Sequence, residues 1–363
     1  METCRVDLKG EVNNSYGILI GQGLFDDLAA ELKNKPIANA YAIIADSNVE
    51  NIYGRKLLKN LQNKNLHAHL ITFPAGEKNK SRKTKENIEN KMLGLALGRD
   101  TCVIALGGGV VGDVAGFAAA TYMRGIPYIQ VPTTLLAMVD SSIGGKVGVD
   151  TVHAKNAIGA FYQPKKVIMD LNFLRTLPKK ELINGVAEII KHALIKDKDF
   201  FHFLEKNVDK ILKYDLESLK SAIKRSCEIK ASIVMQDEKE KGLRRILNYG
   251  HTIGHAIESA LNYKISHGQA IAIGMSYAAK LSAKHGSLHQ GSVIRQNNLL
   301  EYIGLPHKLS HRKLKSNKIL KHIPYDKKIM DGKMNFVLLN SIGDAFIDDN
   351  ITLEDIKNVL EKQ

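Results

Sequence analysis

From residue 38 onward, short apolar runs alternate with amphipathic stretches. ANAYAIIAD reads as a buried strand, VENIYGRKLLKNLQNK as a helix, HAHLITF as a strand and SRKTKENIENKMLGLALG as a helix. TCVIALGG, residues 101–108, reads as a strand and the stretch from there to Tyr122 as a helix. IPYIQVP and KKVIMDL are two further strands. β-branched runs separated by helical patterns predict a parallel sheet covered on both faces. After Leu177-Pro178 the texture changes. KKELINGVAEIIKHALI, SLKSAIKRSCEIKASIV, NYGHTIGHAIES and AIAIGMSYAAKLSAKHG carry the helical period, and only KMNFVLLNSIGDAFID reads as a hairpin. The chain thus divides into an α/β domain over 1–178, with a Rossmann-like, mainly parallel sheet, and a mainly α-helical domain over 179–363. No repeat or low-complexity linker separates them.

The composition is that of a globular protein, 44% hydrophobic and 25% charged over 363 residues. The longest apolar stretch, TCVIALGGGVVGDVAGFAAATY, is interrupted by glycines and Asp113, so no membrane partner is expected. METCRVDLKG lacks a secretory apolar core, which points to a cytoplasmic protein. Cys4, Cys102 and Cys227 are an odd number without CxxC spacing, as reduced thiols would be. The net charge of +14 admits three readings: a nucleic-acid binder, solvated helix faces, or an electropositive pocket for a polyanionic small molecule. The lysines are spread through helices such as KLLKNLQNK and KLKSNKILKH, with no zinc-finger or RNP-type motif. We therefore expect no nucleic-acid partner.

The strand TCVIALGG runs into GGVVGDVAG, where Gly107, Gly109 and Gly112 satisfy G-x-G-x-x-G between a strand and a helix. Such glycines let backbone N–H groups approach a pyrophosphate at a helix N-terminus, and tight helix–strand packing explains them equally well. The next strand ends in Pro132-Thr133-Thr134 rather than in a ribose-binding acid, whereas an earlier strand ends in Asp46. Asp113 reads either as a first-turn helix cap or as a ligand contact.

Four segments set polar residues among apolar ones: YMRGIPYIQVPTT with Arg124, VDSSIGGKVGVD with Asp140 and Lys146, HAKNAIG with Lys155 and Asn156, and GVAEIIKHALI with Glu188, Lys191 and His192. An acid in an apolar helix is costly unless paired or bound to a metal. Lys230 lies in KASIV, and Arg244 and Asn248 stand four apart ahead of His251. Together these suit a phosphate and a carboxylate. His251 and His255 share a helical face, a spacing open to two metal ligands, to one ligand beside an anion-binding group, or to no chemistry.

In this order GGGVVGD, RGIPYIQVPTTLLAMVDSSIGGK, KNAIGAFYQP, GVAEIIKH, LNYGHTIGHAIE and HGQAIAIGM resemble the 3-dehydroquinate synthases of the shikimate pathway. The resemblance runs from about Asp46 to the end of the chain and is densest between 101 and 275. It implies an NAD-binding α/β domain, a helical domain carrying one divalent metal, zinc or cobalt, and a homodimer. Carried over residue by residue, the metal ligands are Glu188, His251 and His267. The NAD contacts are Asp46, Glu77, Lys80, Gly108, Gly109, Asp113, Thr133, Thr134, Lys155, Phe173 and Thr176. The substrate contacts are Arg124, Asp140, Lys146, Asn156, Lys191, Lys230, Arg244, Asn248, His255 and Lys333. Among these, Lys146, Asn156, Lys191, Arg244 and His255 are the expected catalytic group, and His255 becomes a phosphate contact rather than a ligand. Two departures bear on the surroundings of the metal. Gln269 stands where the family has a glutamate after His267-Gly268, and the loop between Glu258 and His267 is a residue short.

The implied substrate is 3-deoxy-D-arabino-heptulosonate 7-phosphate, an anionic sugar phosphate. The implied reaction is oxidation at C5, loss of phosphate, re-reduction and aldol closure, with NAD restored each turnover. The substrate's own phosphate would take the proton during elimination, consistent with the absence of an obvious dedicated base. The alternatives are another sugar-phosphate cyclase, a metal-dependent polyol or glycerol-phosphate dehydrogenase, and a basic nucleic-acid-binding module.

Overall fold

The structure is a computed structural model that describes residues 14–151, 154–309, 316–323, 329–330 and 333–361. Six strands, β1 (Gly17–Gly21), β2 (Ala40–Asp46), β3 (His67–Phe73), β4 (Thr101–Gly107), β5 (Tyr128–Pro132) and β8 (Lys166–Asp170), form one parallel sheet in the order β1-β8-β5-β4-β2-β3. Between β5 and β8 the hairpin β6 (Lys146–Val149) and β7 (Ile158–Phe161) lies outside the sheet. β4 is buried along its whole length, as a central strand covered on both faces must be, whereas the edge strands β1 and β3 are partly exposed.

Helices α1 (Leu24–Asn34), α2 (Arg55–Asn63), α3 (Arg82–Gly94) and α4 (Gly109–Thr121) cover the sheet. Ser81 caps α3, accepting from Thr84 N at 3.2 Å. The apolar helix α4 sits close to its neighbours because Gly112 faces the Gln130 side chain and Gly116 faces Val147 and Tyr128. These are packing glycines, so Gly112 of the Gly107-Gly109-Gly112 pattern serves the fold.

The second half is built around α5 (Lys179–Lys196), α6 (Lys198–Leu212), α7 (Leu216–Gln236), α8 (His251–Ala260), α9 (His267–His285) and α10 (Gln290–Tyr302). The hairpin β9 (Phe336–Ser341) and β10 (Asp344–Asp348) and helix α11 (Leu353–Glu361) close it. α5 is buried on almost every side, from Asn184 to Ile195 without a break. Its Glu188, Lys191 and His192 must therefore find partners inside the protein. One hydrophobic core runs from β2 and β4 through Leu135 and Met138 into α5, α8 and α9. A smaller core fills the opposite face of the sheet under α3 and α4.

The predicted strands and the main predicted helices are present. β1, α1, the β6–β7 hairpin, α6, α10 and α11 were not read from the pattern. The helix expected from Val49 to Lys64 opens with a turn of π-helix over Glu50–Gly54 before α2. Among the described residues no helix is long and apolar enough to cross a membrane. Cys102 and Cys227 are buried free thiols, and Cys4 lies outside the described residues.

Candidate active site

The chain order reverses between β2 and β4, and in a parallel sheet the crevice beyond the strand ends at such a point is where ligands collect. Asp46 ends β2 there and Gly107 ends β4. Gly108 begins α4 with no side-chain cap, leaving the backbone N–H groups of the first turn open. A Cβ on Gly108 would come within 3.2 Å of Thr134, and one on Gly109 within 3.0 Å of the Ser141 hydroxyl. Asp46 Oδ1 accepts from the backbone N–H groups of Asn48 and Val49 at 2.9 and 3.0 Å. Thr133 N donates to Gly107 O at 2.9 Å, and Thr134 Oγ1 accepts from Ala137 N at 3.1 Å.

Asp113 does not cap α4: the helix starts at Gly109, and the carboxylate is paired with the Lys80 ammonium at the crevice wall. The cap reading is corrected, because the first turn ends before Asp113. Burial by itself lowers the Lys80 pKa, but Asp113 and Glu77 outweigh it and leave the ammonium raised above its usual value. Glu77 also stands 3.6 Å from Lys155 Nζ. Phe173 is core, edge-on to Phe25 and Tyr53 at 5.3 and 4.6 Å between centroids, and Thr176 shares a 2.6 Å hydrogen bond with the Tyr53 hydroxyl.

The candidate metal centre forms where α5, α8 and α9 meet. A glycine seam lets α8 and α9 approach: a Cβ on Gly254 would lie 3.0 Å from Ala270 O, and one on Gly274 would strike the Gly250 carbonyl. Gly250 also needs its φ of 76° to start α8. His251 Nε2 and His267 Nε2 thereby stand 3.6 and 3.4 Å from Glu188 Oε1. The three donor atoms lie within 4.8 Å of one another. Glu188 is fully buried, and its Oε1 receives no hydrogen bond. His251 Nδ1 lies 3.1 Å from Tyr249 O, so the N–H is used there and the Nε2 lone pair faces inward. Burial opposes charge on Glu188, yet Lys191, His251 and His267 hold it well below the usual carboxylate range. For His267 burial lowers the pKa, but Glu188 and Glu258 together push it up to about 10. One carboxylate and two imidazoles around an orphaned buried oxygen fit a divalent ion with open positions.

Gln269 does not face this centre. Its Oε1 accepts from Ser266 N at 3.2 Å while Ser266 Oγ accepts from Gln269 N, a capping box that starts α9 at His267. An amide serves that purpose as a carboxylate would, so the substitution leaves the three candidate ligands in place.

Beside the centre opens a cavity of about 990 Å³. Asp113, Asp140, Lys146, Lys155, Asn156, Lys230, Arg244, Asn248 and His255 line it. Arg244 is 1% exposed; its Nη2 donates to Gly144 O at 2.9 Å and its Nη1 to Glu238 O at 2.5 Å. Gly144, at φ 93°, is what admits the guanidinium, since a Cβ would collide with it. Lys230 is paired with Asp140, and burial, with help from Lys191 and Arg244, depresses its pKa despite that pair. Lys191 is paired with Glu188. His192 Nδ1 meets Ser226 Oγ at 2.5 Å, and a ring nitrogen of His192 stays within 4.8 Å of the Glu188 and Asp140 carboxylates.

Three residues stand apart from this grouping. Arg124 is exposed, at φ 70° between Met123 at 50° and Gly125 at 113°, and does not line the cavity. Lys333 falls in the short strand Lys333–Met334, but its side chain lies outside the described residues. Phe173, the third, offers no open face. Two carboxylates were missed. Glu240 is paired with Lys146 and accepts from Asn248 Nδ2 at 3.0 Å; it was hidden in the charge run EKEKG. Glu258, seven residues after His251, shares the face of α8 that carries both histidines, and that spacing was the signal available for it.

Residues 70–184 match the family model described as 3-dehydroquinate synthase N-terminal, and 185–329 the one described as 3-dehydroquinate synthase C-terminal. The 3-dehydroquinate synthase of Thermodesulfovibrio yellowstonii is 46% identical over 363 residues, covering both chains completely. Among solved structures, the 2-epi-5-epi-valiolone synthase ValA of Streptomyces hygroscopicus subsp. jinggangensis, with NAD+ and Zn2+ bound, superposes with a TM-score of 0.89 at 28% identity over 99% of each chain. A 2-deoxy-scyllo-inosose synthase complexed with carbaglucose-6-phosphate, NAD+ and Co2+ superposes with a TM-score of 0.86 at 30% identity, covering 95% of this chain and 96% of that one. The chain belongs to the 3-dehydroquinate synthase family.

Proposed function

We propose that the cavity binds 3-deoxy-D-arabino-heptulosonate 7-phosphate and carries its conversion to 3-dehydroquinate and phosphate. Glu188, His251 and His267 would hold one zinc or cobalt ion, and the crevice at Asp46 and Gly107–Gly109 would hold NAD. The observation that carries this reading is the meeting of a carboxylate–imidazole–imidazole set with a cation-lined cavity. When bound, NAD supplies reversible hydride transfer and the divalent ion acidifies a substrate hydroxyl.

The chain's own residues do the rest. The fixed fork of Arg244 suits a carboxylate, and its buried Nε has no hydrogen bond within the protein. Lys146 and Asn248 already hold a carboxylate, that of Glu240, and so present their donors to an anion. His255 and Asn156 complete the phosphate side. Asp140 and Lys230 form a pair at the wall that can hold or release a proton on a substrate hydroxyl. The division at residue 178 then puts the NAD crevice largely in the first part and the metal set in the second.

Arg124 supports a homodimer: exposed on a strained turn outside its own cavity, it can touch substrate only in a second chain. A cytoplasmic location belongs to the same reading, with Cys102 and Cys227 reduced. Another sugar-phosphate cyclase is the competing reading, because the two solved neighbours named above are synthases of other products. Incubation with the heptulosonate phosphate and identification of the product by NMR decides between them. Dehydroquinate with one phosphate released per turnover is expected, and no reaction with that substrate would refute the proposal.

A further inference from the structure

Glu258 lies outside the Glu188–His251–His267 set and does not line the cavity, although its carboxylate comes within 4.8 Å of ring nitrogens of His255 and His267. Its side chain is nearly buried, at 3% exposure, and one of its oxygens has two partners from different parts of the site. Glu258 Oε1 lies 3.6 Å from His267 Nδ1 and 3.5 Å from Lys155 Nζ, while Oε2 is buried without a hydrogen bond. Lys155 comes from the segment between β6 and β7 and also reaches Glu77 at 3.6 Å and the Tyr263 ring at 4.4 Å. A single buried oxygen thus connects a cavity lysine that also stands beside Glu77 with a histidine of the candidate metal centre.

We infer that Glu258 is a positioning residue that couples cofactor binding to metal binding, through an oxygen shared by Lys155 and His267. The inference rests on the metal and cofactor reading given above. An imidazole offers Nε2 to a metal only when Nδ1 carries the proton, and a carboxylate at Nδ1 both selects that tautomer and makes the ring a better donor. α9 cannot set the ring by itself. The Ser266–Gln269 capping box and the 2.5 Å bond from Gly268 N to Asn184 Oδ1 fix the backbone of His267, whereas Glu258 addresses its side chain. Because Lys155 draws on the same oxygen, a ligand that engages the lysine changes what remains for His267. Linkage then requires the metal to change cofactor affinity by the same factor.

The test is titration of the metal-depleted protein with Co2+ against a chelating dye, with and without NAD, following the cobalt absorption bands as a report of ligand geometry. In the native protein the two Co2+ affinities are expected to differ about fivefold or more. Glu258→Gln, which keeps the shape and removes the charge, should bind Co2+ about 10–100-fold more weakly, with altered bands and no NAD dependence. Glu258→Asp should recover part of the affinity. Lys155→Met leaves the Glu258–His267 contact intact and frees the shared oxygen for it, so its Co2+ affinity should match that of the native protein with NAD and should not change when NAD is added; it carries the test should Glu258→Gln fold poorly. Native-like Co2+ binding by Glu258→Gln, NAD dependence that survives Lys155→Met, or identical affinities with and without NAD in the native protein overturns the inference. A native protein that takes up no Co2+ overturns the metal reading itself, which is a different result.

Discussion

His251 and His255 stand one turn apart on α8 with ring centroids 5.2 Å apart and planes at 85°, and only His251 points its Nε2 at Glu188. The two histidines of the i,i+4 pair therefore stand in different surroundings: His251 belongs to the candidate metal group with Glu188 and His267, and His255 lines the adjoining cavity. His251→Ala, Glu188→Ala and His267→Ala should each lose tightly bound divalent metal, because one of three protein ligands is gone. His255→Ala should retain about one ion per chain and lose turnover. Elemental analysis of the purified variants checks this, and metal lost from His255→Ala but kept by His267→Ala would reverse the two roles.

Glu240 lies against Lys146 and Asn248 in the cavity, at a φ of 56° that a non-glycine residue adopts at some cost. Its carboxylate takes up donors that an anionic ligand needs. The pair is partly exposed, so its worth is that of a surface ion pair, within about 1 kcal/mol. Glu240→Gln should accordingly bind inorganic phosphate about two- to fivefold more tightly by calorimetry. Weaker phosphate binding would mean that Glu240 orients Lys146 and Asn248 rather than competing for them.

Lys146→Met and Arg244→Met should weaken substrate binding or turnover while leaving NAD affinity near native, because both side chains line the cavity whereas Gly107, Gly108 and Gly109 do not. Calorimetry showing NAD binding lost in both would contradict this division of the site.

His192 gives a pH signature of stability. Burial, aided by Lys191, pushes its pKa down to about 3 from an ordinary 6.5. Between those values the unfolded chain binds a proton that the folded chain refuses, so stability is complete above about pH 6.5 and declines as the pH falls toward 3. One such proton contributes a slope of at most about 1.4 kcal/mol per pH unit. Urea midpoints between pH 7 and pH 4 should fall more steeply for the native protein than for His192→Gln. Parallel profiles would show that His192 titrates normally.

Where burial pattern and chemistry coincide, the sequence was readable. β2, β4 and β5 are short, apolar and flanked by turns, and they occur where expected. β1 was not legible, since three apolar residues between two glycines at a sheet edge leave too short a pattern. The segments that form the site were found as separate pieces of chemistry, but their convergence depends on contacts far apart in sequence, such as the α8–α9 glycine seam. The cap alternative for Asp113 failed because its partner, Lys80, lies 33 positions upstream. Glu258 was passed over although its spacing from His251 was visible, because its importance comes from His267 on another helix. Gln269 was expected to disturb the metal surroundings, and only the position of Ser266 shows that it caps α9.

The most direct test of the central claim follows the cofactor through turnover. With NAD supplied far below the concentration of the heptulosonate phosphate, the account predicts many turnovers per NAD. Phosphate should appear in proportion to substrate consumed, with no lasting rise in absorbance at the NADH band, because the hydride removed from C5 returns to it before product leaves. NADH accumulating one for one with product, without phosphate release, would contradict the account and place the chain with the metal-dependent dehydrogenases.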